Sequence, residues 1–376
     1  MSATKKINNN AAWLPEPKSK NLALSSASYT KPEDNQIVIK NAAVAINPVD
    51  WMMETEAGPM VYPHLKYPFV IGSDVAGTVV EVGSLVGRFK VGDRVVGFAL
   101  GTAPGLDSST AEGAFQLYTV LRAHMASHIP DNLSFESAAV IPLGLSTAAC
   151  GLFQKDMLAL RHPTVPPAAR TGEILLIWGG STSVGCNAIQ LAVAAGYEVI
   201  TTSSPKNFEL CKKLGASQVF DYNSQTVVQD ITEVFRGKTC AGAYSIGAGA
   251  AEACLEILSK SKGSKFIAMA TYPMAQKPLE SFVLIRMMFG YVSWNIAHWI
   301  KSKMKGVHSS FIFATTLANN GVGNFIYENF LSQALAAGSF VASPEPLVVG
   351  KGLESIQGAM EVQRKGVSAR KVVVTL

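Results

Sequence analysis

The stretch that decides the fold is Ile174-Leu-Leu-Ile-Trp-Gly-Gly-Ser-Thr-Ser-Val-Gly185. Four apolar residues open it, a turn rich in glycine and serine follows, and apolar residues then recur at helical spacing as far as Gly196. This order predicts a buried parallel strand that turns directly into a helix. The turn between the two is the first place to expect a ligand.

The glycines of this turn predict a site for a pyrophosphate. Glycine lets the backbone approach phosphate oxygens, and the N–H groups at the start of the following helix carry a partial positive charge. The usual middle glycine is replaced by Thr182. We predict a dinucleotide-binding turn made of Gly179, Gly180, Ser181, Thr182, Ser183, Val184 and Gly185. The alternative is an ordinary helix start.

The next strand predicts which dinucleotide binds. Such strands usually end in an acidic residue that binds the ribose 2′-hydroxyl, whereas Tyr197-Glu-Val-Ile-Thr-Thr202 runs into Ser203-Ser-Pro-Lys-Asn207. Hydroxyl groups and a lysine suit a 2′-phosphate, so Ser204, Lys206 and Asn207 predict NADPH as the cofactor. The alternative is that these residues only cap the helix that starts near Phe208.

Composition excludes several classes of protein. The 376 residues are enough for two domains, and 48% hydrophobic with 16% charged residues is typical of a globular enzyme. The net charge of +5 is scattered along the chain, so we expect no nucleic-acid partner. Because residues 1–10 are polar, we expect no signal peptide, no membrane span and a cytoplasmic location.

Short strands punctuated by glycine precede residue 130 and predict a β-rich first domain. In chain order the sequence carries Asn47-Pro-Val-Asp50, Gly72-Ser-Asp-Val-Ala-Gly77, Val91-Gly-Asp-Arg-Val95, Gly113-Ala-Phe115 and Leu143-Gly-Leu-Ser-Thr-Ala148. Together with the turn above, these motifs resemble the medium-chain dehydrogenase/reductase superfamily over nearly the whole chain after residue 30. Trp178-Gly-Gly-Ser-Thr182 and Ser204-Pro-Lys-Asn-Phe208 look most like its zinc-independent fungal enoyl reductases, which serve polyketide synthases in trans, and their dehydrogenase relatives.

The resemblance implies an α/β architecture with two domains. A doubly wound parallel Rossmann domain would cover residues 147–309, and a β-rich GroES-like barrel domain would cover residues 1–146 and 310–376. Catalytic roles are implied for Asn47, Asp50 and Thr147, and cofactor contacts for Tyr222 and Thr271. For Tyr222 the alternative is an aromatic residue that only fills the surface at a strand end.

The resemblance also bears on metal binding. Zinc-dependent members carry an early cysteine, a histidine at the position of Ser73, and four clustered cysteines in a structural lobe. Here the first cysteine is Cys150, the five cysteines are widely spaced, and the histidines at 64, 124 and 128 lack metal-ligand spacing. We therefore expect no bound metal.

Without a metal, the resemblance implies NADPH-dependent hydride transfer to an activated C=C bond, because the resulting enolate spreads its charge. The implied substrate is a small or carrier-bound enoyl compound of polyketide type, and the implied partner is a polyketide synthase. Two alternatives stay open. One is a general quinone or unsaturated-aldehyde reductase, and the other is a low-turnover protein that binds NADPH as a sensing ligand.

One position departs from the resemblance. Many relatives carry a lysine where this chain has Met52, and a thioether cannot donate a proton. The proton for a reduced C=C bond would then come from Tyr62, which we include among the catalytic candidates, or from Tyr67, His64 or water.

The stretch Ser281–Ile300 is long and apolar, but Arg286, Asn295 and His298 make it a poor transmembrane helix. It has two interpretations. It is either a pocket wall with domain packing, or a surface for a partner or an acyl chain.

Overall fold

A computed structural model of the chain describes residues 7–103, 109–271 and 283–376. Its strands are β1 (Asn9–Leu14), β2 (Ala23–Ala27), β3 (Gln36–Ala45), β4 (Phe69–Val70), β5 (Asp74–Val82), β6 (Arg94–Phe98), β7 (Tyr118–Arg122), β8 (Ala126–His128), β9 (Glu173–Trp178), β10 (Glu198–Ser203), β11 (Gln218–Asp221), β12 (Thr239–Ser245), β13 (Lys262–Gly263), β14 (Phe266–Met269), β15 (His308–Phe311), β16 (Glu345–Lys351) and β17 (Arg370–Thr375). Its helices are α1 (Pro48–Met52), α2 (Ala57–Val61), α3 (Phe135–Ala138), α4 (Pro142–Phe153), α5 (Ser183–Ala194), α6 (Phe208–Lys213), α7 (Val227–Phe235), α8 (Ala250–Lys260), α9 (Val283–Lys305), α10 (Gly321–Asn324), α11 (Leu331–Ala336) and α12 (Ile356–Lys365).

The chain forms two compact units. The antiparallel unit consists of Met1–Leu143, Ala318–Gly338 and Ala342–Leu376, and the parallel unit consists of Gly144–Leu317 and Ser339–Val341. The sequence prediction puts the divisions at residues 147 and 310. The chain stays in the parallel unit beyond residue 310 because β15 pairs with β14 along the parallel sheet.

The parallel unit is built on a sheet with the strand order β11-β10-β9-β12-β14-β15, and β13 pairs with β12. All of its pairings are parallel. Strand β9 lies at the centre because Ile174, Leu175, Leu176 and Ile177 are fully buried. The strand order reverses between β9 and β12, where such sheets open a crevice at their carboxyl ends. The predicted doubly wound architecture is confirmed.

The antiparallel unit contains a sheet with the order β16-β17-β3-β5-β6-β8, with β7 paired to β3, and a second sheet with the order β2-β1-β4. Only β16 and β17 pair in parallel among these strands. Strand β3 carries the core residues Ile37, Ile39 and Val44, which pack with Val372 and Val374 of β17 in one apolar cluster. The predicted β-rich domain is confirmed, and its last strand comes from the end of the sequence.

Helix α4 begins at Pro142, although the sequence predicts a helix from Thr147 to about residue 160. Proline fits the first turn of a helix, where its missing N–H is not needed. Among the described helices, one stretch, Phe135–Phe153, is long and apolar enough to cross a bilayer. Since 78% of that window is buried inside the molecule, it resembles a core helix.

Candidate functional site

The turn between β9 and α5 depends on its glycines. Gly179 has φ +93°, a backbone conformation that side chains disfavour. A Cβ on Gly180 would lie 2.2 Å from Thr201 Oγ1, and a Cβ on Gly185 would lie 2.2 Å from the carbonyl oxygen of Gly179. Glycine at these positions therefore permits the tight turn and the close approach of the helix to the strand.

Thr182 replaces the usual middle glycine because it caps α5. Its Oγ1 accepts the N–H of Gly185 at 3.0 Å and donates to the carbonyl oxygen of Gly179 at 2.8 Å. The next two N–H groups, of Ser183 and Val184, have no partner within the helix. The positive end of this 12-residue helix therefore faces the turn, where a pyrophosphate fits.

The residues predicted to select NADPH form a small polar group after β10. The Nδ2 of Asn207 donates to Ser204 Oγ at 3.1 Å and to Ser181 Oγ at 3.3 Å, which ties this loop to the glycine turn. Lys206 is exposed beside them. Neither Ser204 nor Asn207 makes a side-chain cap bond to the helical turn that follows it, which weakens the alternative that these residues only cap α6.

Two further predicted cofactor residues follow other strands of the same sheet. Tyr222 comes directly after β11 and is 46% exposed. Thr271 follows β14, and its Oγ1 accepts the N–H of Gly247 at 3.1 Å. Because the strands are parallel, these residues and the glycine turn lie at one edge of the sheet. The cofactor assignments stay predictions, but the structure gathers them where a dinucleotide would bind.

The antiparallel unit holds a buried polar cluster around Asn47. Its Nδ2 donates to Asp74 Oδ2 at 2.8 Å, and its Oδ1 accepts a hydrogen bond from Lys371 Nζ. Lys371 Nζ also lies 2.9 Å from Asp74 Oδ2, and these two side chains are 5% and 0% exposed. The N–H of Leu143 donates to Asp74 Oδ1 at 2.6 Å. The carboxamide of Asn47 is therefore held in one orientation by an ion pair.

Asp50 lies next to this cluster. Its Oδ2 accepts the backbone N–H of Asn47 at 2.7 Å and thereby helps to begin α1. Burial is the main cause that raises the pKa of Asp50 to about 7; the Asn47 N–H bond opposes this shift, the Asp74 charge adds to it, and the Lys371 charge opposes it. Asp50 thus changes its protonation state near neutral pH, which a proton-transfer group requires.

The charge of Asp50 affects the pKa of Tyr62. Burial and then the charge of Asp50 raise the pKa of Tyr62 to about 12, so its hydroxyl keeps its proton. Burial also raises the pKa of Tyr67, whose buried hydroxyl has no hydrogen-bond partner among the described residues. His64 lies in edge contact with Tyr62 and has Nε2 3.3 Å from the carbonyl oxygen of Thr102. Met52 is half-buried on α1.

The structure brings some of the predicted catalytic residues together. Asn47 and Asp50 share a hydrogen bond, and Tyr62 is electrostatically coupled to Asp50. Thr147 belongs to the parallel unit, where its carbonyl oxygen accepts the hydroxyl of Tyr244 at 2.7 Å. The assignment of Thr147 stays a prediction.

Sequence reasoning missed Asp74 and Lys371. Asp74 lies within the Gly72–Gly77 motif, which by itself does not indicate that this carboxylate orients Asn47. Lys371 opens the apolar run of β17, where a lysine at a buried position is a signal that a carboxylate lies opposite.

Two family models match the chain: "Alcohol dehydrogenase GroES-like domain" over residues 33–131 and "Zinc-binding dehydrogenase" over residues 183–302. The chain is 56% identical over 368 residues to the dehydrogenase pigH of Monascus ruber, covering 98% of this chain and 99% of that protein. The chain belongs to the medium-chain dehydrogenase/reductase family. The predicted pairing of a GroES-like and a Rossmann-type domain is confirmed.

Another relative in this family is the trans-enoyl reductase himH of Aspergillus japonicus, 37% identical over 372 residues, with 98% of this chain and 97% of that protein covered. Among solved structures, a mycobacterial protein in complex with NADPH has a TM-score of 0.68 at 23% identity, with 98% and 100% of the two chains covered. The predicted similarity to fungal trans-acting enoyl reductases and their dehydrogenase relatives is confirmed.

The zinc named in one matched model does not fit the residues that the structure describes. Within residues 7–103, 109–271 and 283–376, no three His, Cys, Asp or Glu side chains are grouped so that they could hold a metal. All five cysteines are buried, and burial raises the pKa of Cys150 to about 12 and that of Cys240 to about 11. A thiol must lose its proton to bind zinc. Membership of this oxidoreductase family therefore does not by itself imply a metal here.

Proposed function

We propose that the protein is an NADPH-dependent reductase of an activated C=C bond in a polyketide-like compound, and that it works without a metal. The observation that carries the proposal is the buried cluster of Asn47, Asp74 and Lys371 with Asp50 and Tyr62 beside it. It offers hydrogen-bond donors and a proton, which conjugate reduction needs, and no metal ligand set. The name of the relative himH, a trans-enoyl reductase, supports the same class.

NADPH fits the parallel unit. The glycine turn and the N–H groups of Ser183 and Val184 would hold the pyrophosphate. The 2′-phosphate would be held by Ser204, Lys206 and Asn207. Tyr222 and Thr271 would contact the cofactor along the same edge of the sheet. When bound, this cofactor supplies a hydride. The mycobacterial structural neighbour, solved with NADPH, supports this choice.

The residues of the antiparallel unit would stabilise the negative charge that develops on the substrate and would supply the proton. Addition of hydride to an enone or enoyl thioester breaks the C=C π bond and leaves an enolate, whose oxygen carries the new charge. One amide hydrogen of Asn47 donates to Asp74, and the other would donate to such an oxygen. Tyr62 would then give its proton to the carbon, and Asp50 would restore it. Thr147 would be a further hydrogen-bond donor to the substrate.

The substrate class follows from relatives and from the missing lysine. Met52 adds apolar surface where a charged group would hinder a hydrophobic chain. We therefore propose a polyketide-like enoyl substrate, free or bound to a carrier, with a polyketide synthase as partner and a cytoplasmic location. A quinone or unsaturated-aldehyde reductase would use the same residues.

Steady-state NADPH oxidation with an enoyl thioester, an enal and a quinone tests the function. We expect turnover on the enoyl thioester, reduced about a hundredfold by Tyr62→Phe because a general acid is lost. Tyr118→Phe, a half-buried tyrosine of β7, is the matched control. Tight NADPH binding without turnover on any of the three would favour a low-turnover NADPH-binding protein, and turnover on the quinone alone would favour a quinone reductase.

A further inference from the structure

Helix α9 packs on α8 along one side and exposes apolar residues along the other. One side packs on α8 in the parallel unit, where Trp294 Nε1 donates to Glu252 Oε1 at 2.6 Å and Lys305 Nζ donates to Glu256 Oε2 at 2.7 Å. His298, only 7% exposed, stacks on Trp294 on this side. These contacts fix the helix, so its other side is presented to the surroundings in a defined way.

The opposite side of α9 is an exposed apolar stripe. Its members are 45% to 82% exposed and are Phe289, Val292, Ile296, Trp299, Ile300 and Met304. At ~100° per residue they fall within an arc of roughly 140°, and at ~1.5 Å per residue they extend over about 22 Å. Monomeric proteins rarely expose a contiguous apolar surface of this kind without a use for it.

The charges beside the stripe indicate what it meets. Between Val283 and Lys305 the sequence contains no Asp or Glu, whereas Arg286 lies near one end of the stripe and Lys303 near the other, both exposed. Two copies of α9 packed on a two-fold axis would place cation against cation. The charge pattern therefore calls for an anionic surface and disfavours a second copy of this chain.

The shape of the stripe favours a lipid surface over a protein groove. It runs along one helix, with an apolar centre, a cation near each end and Trp299 exposed along it. Helices that lie in the plane of a bilayer combine these features. We propose that α9 docks this protein peripherally on an anionic lipid bilayer. The net charge of +5 adds a general attraction to such a surface.

Co-sedimentation of the full chain with lipid vesicles tests this proposal. We expect binding to vesicles of equimolar phosphatidylcholine and phosphatidylserine to be at least tenfold stronger than to phosphatidylcholine alone, as ~1 kcal/mol per basic residue near the surface implies. Trp299→Asp should abolish this binding. Leu85→Asp, a 69% exposed residue of the antiparallel unit, is the matched control and should not.

A second pair of variants tests the charge. Lys303→Glu should weaken binding about fivefold or more, and Lys262→Glu, an equal charge change at an exposed lysine of β13, should have a smaller effect. Circular dichroism checks that each variant is folded. Absence of binding by the wild-type chain, or equal losses in variant and control, overturns the proposal. So does Trp299-dependent dimerisation without lipid, or binding to an acidic carrier domain but not to vesicles.

Discussion

The carboxamide of Asn47 is the most constrained polar side chain of the candidate site. Both of its polar atoms are engaged, one by Asp74 and one by Lys371, and the whole group is buried. A buried ion pair contributes little net stability, because the desolvation of two charges offsets their attraction. Its effect here is to fix an amide in a single orientation, which a site that must recognise one developing oxyanion requires.

Asp50 gives a prediction about pH. Its folded pKa of about 7 lies above the ordinary value of 3.8, so the folded protein holds this proton more tightly than the unfolded chain. The free energy of unfolding must therefore fall as pH rises from about 4 to about 7, and above pH 7 this loss of stability is complete. Asp50→Asn removes the charge and keeps an acceptor for the N–H of Asn47. Over this pH range the free energy of unfolding of the variant should rise by up to about 4 kcal/mol relative to that of the wild type, at ~1.36 kcal/mol per pKa unit.

Urea unfolding at a series of pH values measures this difference. Asp131→Asn, whose carboxylate is fully exposed, controls for the loss of one negative charge. A stability difference between wild type and Asp50→Asn that does not change with pH would contradict the assignment.

Lys206 gives a prediction about cofactor choice. NADPH should bind at least tenfold more tightly than NADH, a difference of about 1.4 kcal/mol that one contact to a phosphate can supply. Lys206→Ala should reduce the difference in affinity between NADPH and NADH. Lys213 is an exposed lysine of α6, and Lys213→Ala should leave this difference unchanged. Calorimetric titration with both cofactors measures the difference, and equal dissociation constants for the wild-type protein would refute the choice of NADPH.

Alanine should have opposite effects on stability at Gly185, in the β9–α5 turn, and at Gly358 of α12. A Cβ on Gly185 meets backbone atoms at 2.2 Å and 2.7 Å that no side-chain movement can relieve. Gly185→Ala should therefore destabilise the protein by about 1–3 kcal/mol and weaken NADPH binding. Gly358→Ala, at an exposed position of α12 with nothing within 4 Å, should stabilise it by roughly 0.5–1 kcal/mol. Thermal unfolding of both variants decides, and equal effects would show that the turn tolerates a side chain.

Sequence patterns predicted the central elements well because those elements depend on local information. Strand β9 is a run of apolar residues that any buried strand requires, and the cap of α5 depends on the single hydroxyl of Thr182. The start of α4 also carries a local signal, because Pro142 fits the first turn of a helix. The interaction between Lys371 and Asp74 depends on tertiary pairing of β17 with β3, which a local pattern does not contain.

At the scale of the molecule, the two folds were recognisable from the order of their motifs, whereas the unit boundaries were not. Residues 339–341 join the parallel unit because Gln190 bonds to both the N–H and the carbonyl oxygen of Val341, at 2.8 Å and 3.1 Å. No local sequence feature of these three residues predicts the hydrogen bonds between Gln190 and Val341. Side-chain contacts between distant segments decide such boundaries.

The whole protein is expected to work without zinc. Elemental analysis should find well under one zinc per chain, and treatment with a chelator should leave both activity and melting temperature unchanged, because the part of the chain that the structure describes holds no group of ligands to couple metal binding to folding. The same treatment of a zinc-dependent alcohol dehydrogenase serves as the control. A stoichiometric zinc that resists dialysis would contradict this expectation.

The antiparallel unit is assembled from segments on either side of the parallel unit, and this has a consequence for synthesis on the ribosome. Asn47 and Lys371 are 324 residues apart, so the buried cluster of Asn47, Asp74 and Lys371 cannot form until the residues between them have been synthesised. At about 5–20 residues per second, that delay is tens of seconds. The parallel unit, made almost entirely of one continuous segment, emerges whole in the meantime. The unit that is translated first is therefore the one that completes its folding last.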